Sequence, residues 1–156
     1  MKFILLCTDP AVNISEIKFP DERTRLLGQI VGTADLTGQM ADRTYLEKLL
    51  FLYLEFKEAH FGNYKNIQDL LYKTRDFYEL TRKKLDTSLG GIYKSLAYHF
   101  KEVYGTENNY YLESIEKNIA YLSTVITHNK TRQLSMLKRG GIVEKSETLI
   151  AKEDLA

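Results

Sequence analysis

Several features are scarce in this 156-residue sequence, and each scarcity excludes a class of protein. A single cysteine, Cys7, cannot form a disulfide within the chain, which fits a reducing compartment. The longest internal apolar run, Leu49 to Leu54, is too short to cross a bilayer. The formal net charge is only +1, which gives no electrostatic reason to bind nucleic acid. We therefore expect a cytoplasmic protein with neither membrane nor nucleic-acid partners.

Proline is rare as well, and its placement favours helices. Both prolines, Pro10 and Pro20, lie near the start, so the rest of the chain is free to be helical. The opening apolar run is only five residues long and no small-residue cleavage site follows it, so it does not resemble a secretory signal. Apolar residues make up 44% of the chain, as in ordinary globular proteins, and the length suits one domain with its own core.

Apolar residues recur every three or four positions, which predicts an all-α fold with five or six helices. The predicted helices run from Pro20 to about Gln39, over Thr44–His60, from Asn66 to about Leu85, over Ile92–Tyr104, and from Tyr110 to about Asn129. Met1–Thr8 is the tail of a helix or a short strand, and Thr44 with Glu47 predicts a capping box. We expect one helical domain over residues 1–139. The polar tail over 140–156 is either disordered or a short docked helix.

The first long helix contains the candidate site. Five small or apolar residues fall on one side of it, and Asp35 lies at the edge of this side. This helix, predicted from Pro20 to about Gln39, is called α2, and we call the set the α2 stripe: Leu27, Ile30, Val31, Ala34 and Gly38. The periodicity predicts that the α2 stripe is packed, and a carboxylate beside a packed face needs a partner. Gly28 and Gly32, one turn apart, indicate that another helix or a ligand approaches closely.

The run Ile30–Leu36, followed by Gln39–Arg43, resembles the last conserved block of HD-domain metal-dependent phosphohydrolases. In that superfamily a His, a His-Asp doublet and a later Asp bind one or two metal ions. The later Asp often stands in an Ala-Asp pair on a helix, and Asp35 matches it. The resemblance thus implies that Asp35 is a metal ligand.

The upstream His and the His-Asp doublet of that family are absent from this sequence. Its three histidines are His60, His99 and His128, and none pairs with another at helical spacing. The chain is therefore similar to the C-terminal portion of such a protein, an HD-like C-terminal helical bundle. Without the missing N-terminal helices the α2 stripe would be bare, so we expect a homodimer or association with those helices.

The resemblance implies hydrolysis of a phosphoester by a metal-activated water in the complete protein, with a divalent metal ion as cofactor. One Asp supplies at most two of the ligands that a hard cation needs, so we expect no tight metal binding and no activity from this chain alone. Arg43 and Lys48 are candidates to face a substrate phosphate, although exposed basic residues on a helix are usually only solvated. The alternative function is a non-catalytic interaction or regulatory module on the same scaffold.

Tyrosine is abundant, with eleven residues and no tryptophan. The tyrosines either line a ligand groove or bury their rings at helix edges while their hydroxyls stay wet. The sequence alone favours the second interpretation.

Overall fold

The computed structural model describes residues 2–9, 12–60 and 62–137, and all regular structure in these ranges is helical. Seven α-helices follow one another there: α1 (Lys2–Leu5), α2 (Glu22–Ala41), α3 (Tyr45–Glu58), α4 (Ile67–Asp86), α5 (Leu96–Tyr104), α6 (Tyr110–Val125) and α7 (Lys130–Met136). Two 3₁₀ turns, Ile14–Glu16 and Ile92–Ser95, accompany them. The all-α prediction is confirmed. Pro10 and the predicted tail over 140–156 lie outside the described residues.

The described part has seven helices, whereas five or six were predicted, and the two extra helices are short. The segment Met1–Thr8 was left open between helix and strand, and it contains the four-residue α1. Helix α6 ends at Val125 rather than near Asn129, because Asn129 begins α7. The Asn129 side chain accepts a hydrogen bond from the backbone N–H of Arg132 at 3.1 Å, as an N-cap does. None of these helices is long and apolar enough to span a bilayer.

The described residues form two compact units, and the first contains 2–42 and 78–115. Asp21 caps α2, since its carboxylate accepts the backbone N–H of Thr24 at 2.6 Å. A buried cluster in this unit consists of Cys7, Ile14, Leu85 and Leu89. Gly90 and Gly91, with φ of 68° and 69°, end the α4 segment in the left-handed conformation that glycine adopts readily.

The packed side of α2 is not the predicted one. The residues that it buries are Gly28, Gln29, Gly32, Thr33, Thr37 and Met40. The α2 stripe is open instead: Leu27 is 41% exposed, Ile30 42% and Val31 36%. The cause is close packing of α1 and the residues after it against the glycines. A Cβ built on Gly32 would lie 2.7 Å from the Cys7 carbonyl oxygen. The close approach predicted from Gly28 and Gly32 is thus confirmed, and the predicted packing of the α2 stripe is wrong.

The second unit contains residues 43–77 and 116–137. Its buried core is Leu46, Leu49, Leu50, Ile67, Leu70, Leu71, Leu122, Val125, Ile126 and Leu137. Apolar residues of α3, α4 and α6 supply most of this core, as their periodicity predicts, but Phe77 of α4 is 43% exposed. The predicted capping box is wrong. Thr44 precedes α3, but with φ −100° and ψ 12° it lacks the extended backbone of a cap and makes no capping side-chain bond.

The glycines of α2 allow a matched test of this packing. Gly32→Ala places a methyl group against the Cys7 backbone and should destabilise the fold by about 1–3 kcal/mol, the usual cost of overpacking. Gly38→Ala meets no atom within 4 Å and should stabilise α2 by about 0.5–1 kcal/mol through helix propensity. Urea unfolding of both variants checks the pair. Equal effects of the two substitutions would contradict close packing at Gly32.

Candidate functional site

Asp35 lies on α2 at the border between the packed side of the helix and the α2 stripe. It is half-buried, as expected for a carboxylate at the edge of a packed face. Val31, one turn before it, belongs to the open stripe, and Gly32, three residues before it, belongs to the buried side. Its Oδ1 atom accepts a hydrogen bond from Gln39 Nε2 at 2.8 Å. The carboxylate thus stands beside an apolar surface and is oriented by an amide on its own helix.

The described residues do not complete a metal site around Asp35. Within 2–9, 12–60 and 62–137, no three His, Cys, Asp or Glu residues are grouped to hold a metal ion. His99 is exposed on α5, and His60 is exposed in the second unit. His128 Nδ1 lies 3.0 Å from the Thr124 carbonyl oxygen. A single carboxylate does not fit the several ligands that a divalent cation requires.

Arg43 and Lys48, the candidate phosphate-binding residues, both belong to the second unit and are exposed. Arg43 contributes to a small cavity of about 10 Å³ together with Glu47 and Tyr121. This cavity is too small for a phosphoester, although a single water molecule fits such a volume. Asp35 belongs to the first unit, whereas Arg43 and Lys48 belong to the second, so no single unit contains all three predicted site residues.

Gln29 has a structural role that the sequence reasoning missed. Its side chain is 7% exposed, and Nε2 donates to the Ser88 carbonyl oxygen at 3.0 Å, which ties α2 to the segment after α4. The Ser88 hydroxyl in turn lies 3.2 Å from that of Ser15. The spacing of Gln29, Thr33, Thr37 and Met40 at intervals of four and three is the signal that marks this buried side.

An open cavity of about 350 Å³ adjoins Gln29 in the first unit. Ile14, Ile17 and Phe19 form its apolar wall, and Arg25 also lines it. The Arg25 guanidinium is engaged by Glu22, one turn earlier on α2. Its charge is therefore already balanced within the helix.

Their surroundings shift the pKa values of two groups in or near the buried cluster of the first unit, Cys7 and Asp86. Burial raises the pKa of the Cys7 thiol, which disfavours the reactive thiolate. The Tyr93 hydroxyl donates to Asp86 at 2.8 Å and Lys94 lies 3.3 Å away, which together hold the pKa of Asp86 below its usual value. The contacts of Asp86 thus connect the end of α4 to the turn that follows it, and Cys7 belongs to the buried cluster that contains Leu85 and Leu89.

The comparisons with known proteins identify a family but no relative of known activity. A family model described as Npun_R2479-like matches residues 13–90, which is half of the chain. The matched range contains α2, α3 and α4 and therefore Asp35, Arg43 and Lys48. No curated protein and no solved structure matches the sequence.

Substitutions of Asp35 and of Gln29 should change the free energy of unfolding to different extents. Asp35→Asn keeps the shape and changes the free energy of unfolding by less than about 0.5 kcal/mol, or stabilises the fold, since a half-buried carboxylate loses only its charge. Gln29→Ala removes a buried hydrogen bond and should cost about 1–3 kcal/mol. Thermal melts of the two variants make the comparison. A loss of several kcal/mol for Asp35→Asn would mark Asp35 as a structural residue.

Proposed function

The chain belongs to the Npun_R2479-like family, and we propose that it is the C-terminal portion of an HD-type metal-dependent phosphohydrolase. In this proposal Asp35 is one metal ligand of the complete protein. The remaining ligands, a His and a His-Asp doublet, come from a further polypeptide segment that packs on the α2 stripe.

The observation that supports the proposal most strongly is the position of Asp35 beside an open apolar surface. Leu27, Ile30 and Val31 each expose more than a third of their surface, although burying such a side chain is worth about 1.5–3 kcal/mol. A run of apolar residues left open on one helix is typical of a surface that packs against another element. An element bound there would lie directly next to the Asp35 carboxylate.

The sequence resemblance supplies the chemistry of the proposal. The Ala34-Asp35 pair matches the late acid of the HD superfamily, and it lies on a helix, α2, as it does in that superfamily. An all-helical fold agrees with the expected bundle.

The described residues could contribute to the reaction in a limited way. A bound metal ion would supply the activated water that attacks the phosphoester. From this chain, Asp35 would hold the ion through its carboxylate, while Arg43 and Lys48 are available to attract a substrate phosphate. Since one carboxylate does not fit a complete site, in this proposal the further segment adds the ligands that the described residues do not offer.

A non-catalytic interaction module is the second candidate, and the same open stripe favours it. An apolar helix face can bind a partner whether or not Asp35 meets a metal ion. The two functions differ in what the partner segment must contain. The phosphohydrolase requires a His and a His-Asp doublet in the polypeptide that covers the stripe.

The chain alone should not hydrolyse phosphoesters. Hydrolysis of p-nitrophenyl phosphoesters with manganese, magnesium, nickel or iron should stay at the background rate, because the described residues offer one matched ligand. Colorimetric release of p-nitrophenol measures this. Robust turnover that Asp35→Ala abolishes would mean that further ligands lie within this chain.

The decisive experiment adds the missing polypeptide. The DNA upstream of the chain, in the same or a neighbouring reading frame, should encode the His and His-Asp motifs. Co-expression of both parts should give a metal-loaded enzyme, in which Asp35→Asn lowers metal content or activity by at least about tenfold, as loss of metal-site interactions typically does.

Asp76→Asn is the matched control, since Asp76 is an exposed carboxylate that lies 3.5 Å from the Arg75 guanidinium. Its metal content and activity should equal those of the unmodified protein. If the upstream DNA encodes no such motif, or if Asp35→Asn leaves metal content and activity unchanged, the phosphohydrolase is excluded and the interaction module is favoured.

A further inference from the structure

The open cavity of about 350 Å³ beside Gln29 is lined entirely by residues of the first unit. We call it the Gln29 cavity. Its volume lies at the lower end of the range of about 300–1,000 Å³ for sites of small organic ligands, which suits a compound of one or two rings. Its lining combines three apolar side chains with three uncharged polar ones: Ile14, Ile17, Phe19, Ser15, Gln29 and Ser88.

The amide of Gln29 is the group in this lining that points to a ligand. Its Nε2 donates to the Ser88 carbonyl oxygen at 3.0 Å, and because a carbonyl only accepts, the amide nitrogen must occupy this contact. This is the only hydrogen bond that the Gln29 side chain makes with the described residues, so Oε1 is left as an acceptor at the cavity. The residue is only 7% exposed. An acceptor in such a place costs free energy unless a donor reaches it through the cavity.

The position of the Gln29 amide is fixed before any ligand binds. A Cβ built on Gly90 would lie 3.3 Å from both Nε2 and Oε1, so the backbone of Gly90 packs against the amide. The Ser88 carbonyl holds the nitrogen in the same turn. An acceptor held in this way can bind a donor with little further loss of side-chain entropy.

The hydroxyl groups of Ser15 and Ser88 add a donor to the cavity. Their oxygen atoms lie 3.2 Å apart, and either can donate to the other. One hydrogen bond uses one hydroxyl hydrogen, so the hydrogen of the second hydroxyl stays available. Because Ser88 also carries the carbonyl that Gln29 contacts, this donor and the Gln29 acceptor belong to the same part of the cavity. The Thr87 hydroxyl adds none, since it donates to the Lys83 carbonyl oxygen at 2.8 Å.

The apolar part of the lining is also held by its neighbours. Ile17 and Phe19 pack against the buried cluster of this unit, yet each remains partly exposed. A Cβ built on Gly28 would lie 3.4 Å from the Phe19 ring, and the Phe3 ring lies 6.5 Å from it at a tilt of 52°. These contacts prepare an apolar surface against which a small ring can be buried.

The charge of the lining favours a neutral occupant. Arg25 is the one charged residue among the described lining side chains, and its Nε donates to Glu22 at 2.9 Å. A charged ligand would disturb this pair, whereas a neutral one leaves it intact. The available groups are therefore one acceptor, one hydroxyl donor and an apolar surface.

We propose that the Gln29 cavity binds a small neutral cyclic amide. The ligand N–H donates to Gln29 Oε1, the ligand carbonyl accepts the available hydrogen of the Ser15 and Ser88 hydroxyls, and the ring lies against Ile17 and Phe19. A cyclic amide holds its N–H and C=O groups side by side, which matches an acceptor and a donor in the same part of the cavity. This site does not rest on the function proposed for Asp35, which is absent from the lining.

The test is a titration of the isotopically labelled chain with carbostyril, a neutral two-ring lactam, followed by NMR. The methyl resonances of Ile14 and Ile17 and the side-chain amide resonances of Gln29 should shift in a saturable way. Coumarin has the same shape but carries a ring oxygen in place of the N–H. It should bind at least about tenfold more weakly, because it leaves Gln29 Oε1 facing another acceptor. Absence of saturable shifts with carbostyril, or equal binding of coumarin, would overturn the proposal.

A pair of double variants tests the hydroxyl donor. Ser15→Ala with Ser88→Ala should weaken carbostyril binding about three- to tenfold, the usual effect of one lost hydrogen bond. Ser123→Ala with Ser135→Ala is the matched control. It removes two exposed hydroxyls of the second unit that donate to carbonyls of their own helices, and binding should stay unchanged. Circular dichroism verifies that each variant is folded. Equal affinities of the two double variants would overturn the assigned site.

Discussion

The close contact between α2 and the segment around Cys7 is the constraint on which the first unit depends. Gly28 and Gly32 have no side chains, so the Cys7 carbonyl and thiol occupy the space where a methyl group would stand. That approach determines which side of α2 is buried. Gln29, Thr33, Thr37 and Met40 follow on the same side, and the Gln29 amide extends the contact to Ser88. Small and polar residues, with Met40, thus form the buried side of α2, while Leu27, Ile30 and Val31 on its other side remain exposed.

This arrangement gives α2 two different faces. One face joins the helix to its own unit, and the other presents the α2 stripe with Asp35 at its border. In both proposed functions, the exposed Leu27, Ile30 and Val31 form a second binding surface on a helix whose other face buries glycine, glutamine and threonine. In the proposed phosphohydrolase, the second binding surface brings the remaining metal ligands next to the Asp35 carboxylate. In an interaction module, the same surface would serve a partner without metal.

The sequence predicted the long helices well because their apolar periodicity is strong. In α4, Ile67, Leu70, Leu71 and Leu85 lie on one side and are buried as expected. Periodicity predicted the wrong buried side for α2. Hydrophobicity alone cannot show that the helix packs through Gly28 and Gly32 rather than through Leu27 and Ile30. It also missed α7, whose Asn129 cap was hidden within a run that reads as one longer helix. For the site, Asp35 could be identified by resemblance, whereas the buried role of Gln29 required knowledge of its contact with the Ser88 carbonyl.

Self-association of the chain tests most directly whether the α2 stripe is a binding surface. Sedimentation velocity at micromolar concentration, with a dye that reports apolar surface, should show a chain that associates or binds dye when its partner is absent. Ile30→Gln with Val31→Gln should reduce both signals, whereas Val103→Gln, at an exposed position of α5, should not. A strictly monomeric, dye-silent chain, or signals that the Ile30 and Val31 substitutions leave unchanged, would contradict the role assigned to the stripe.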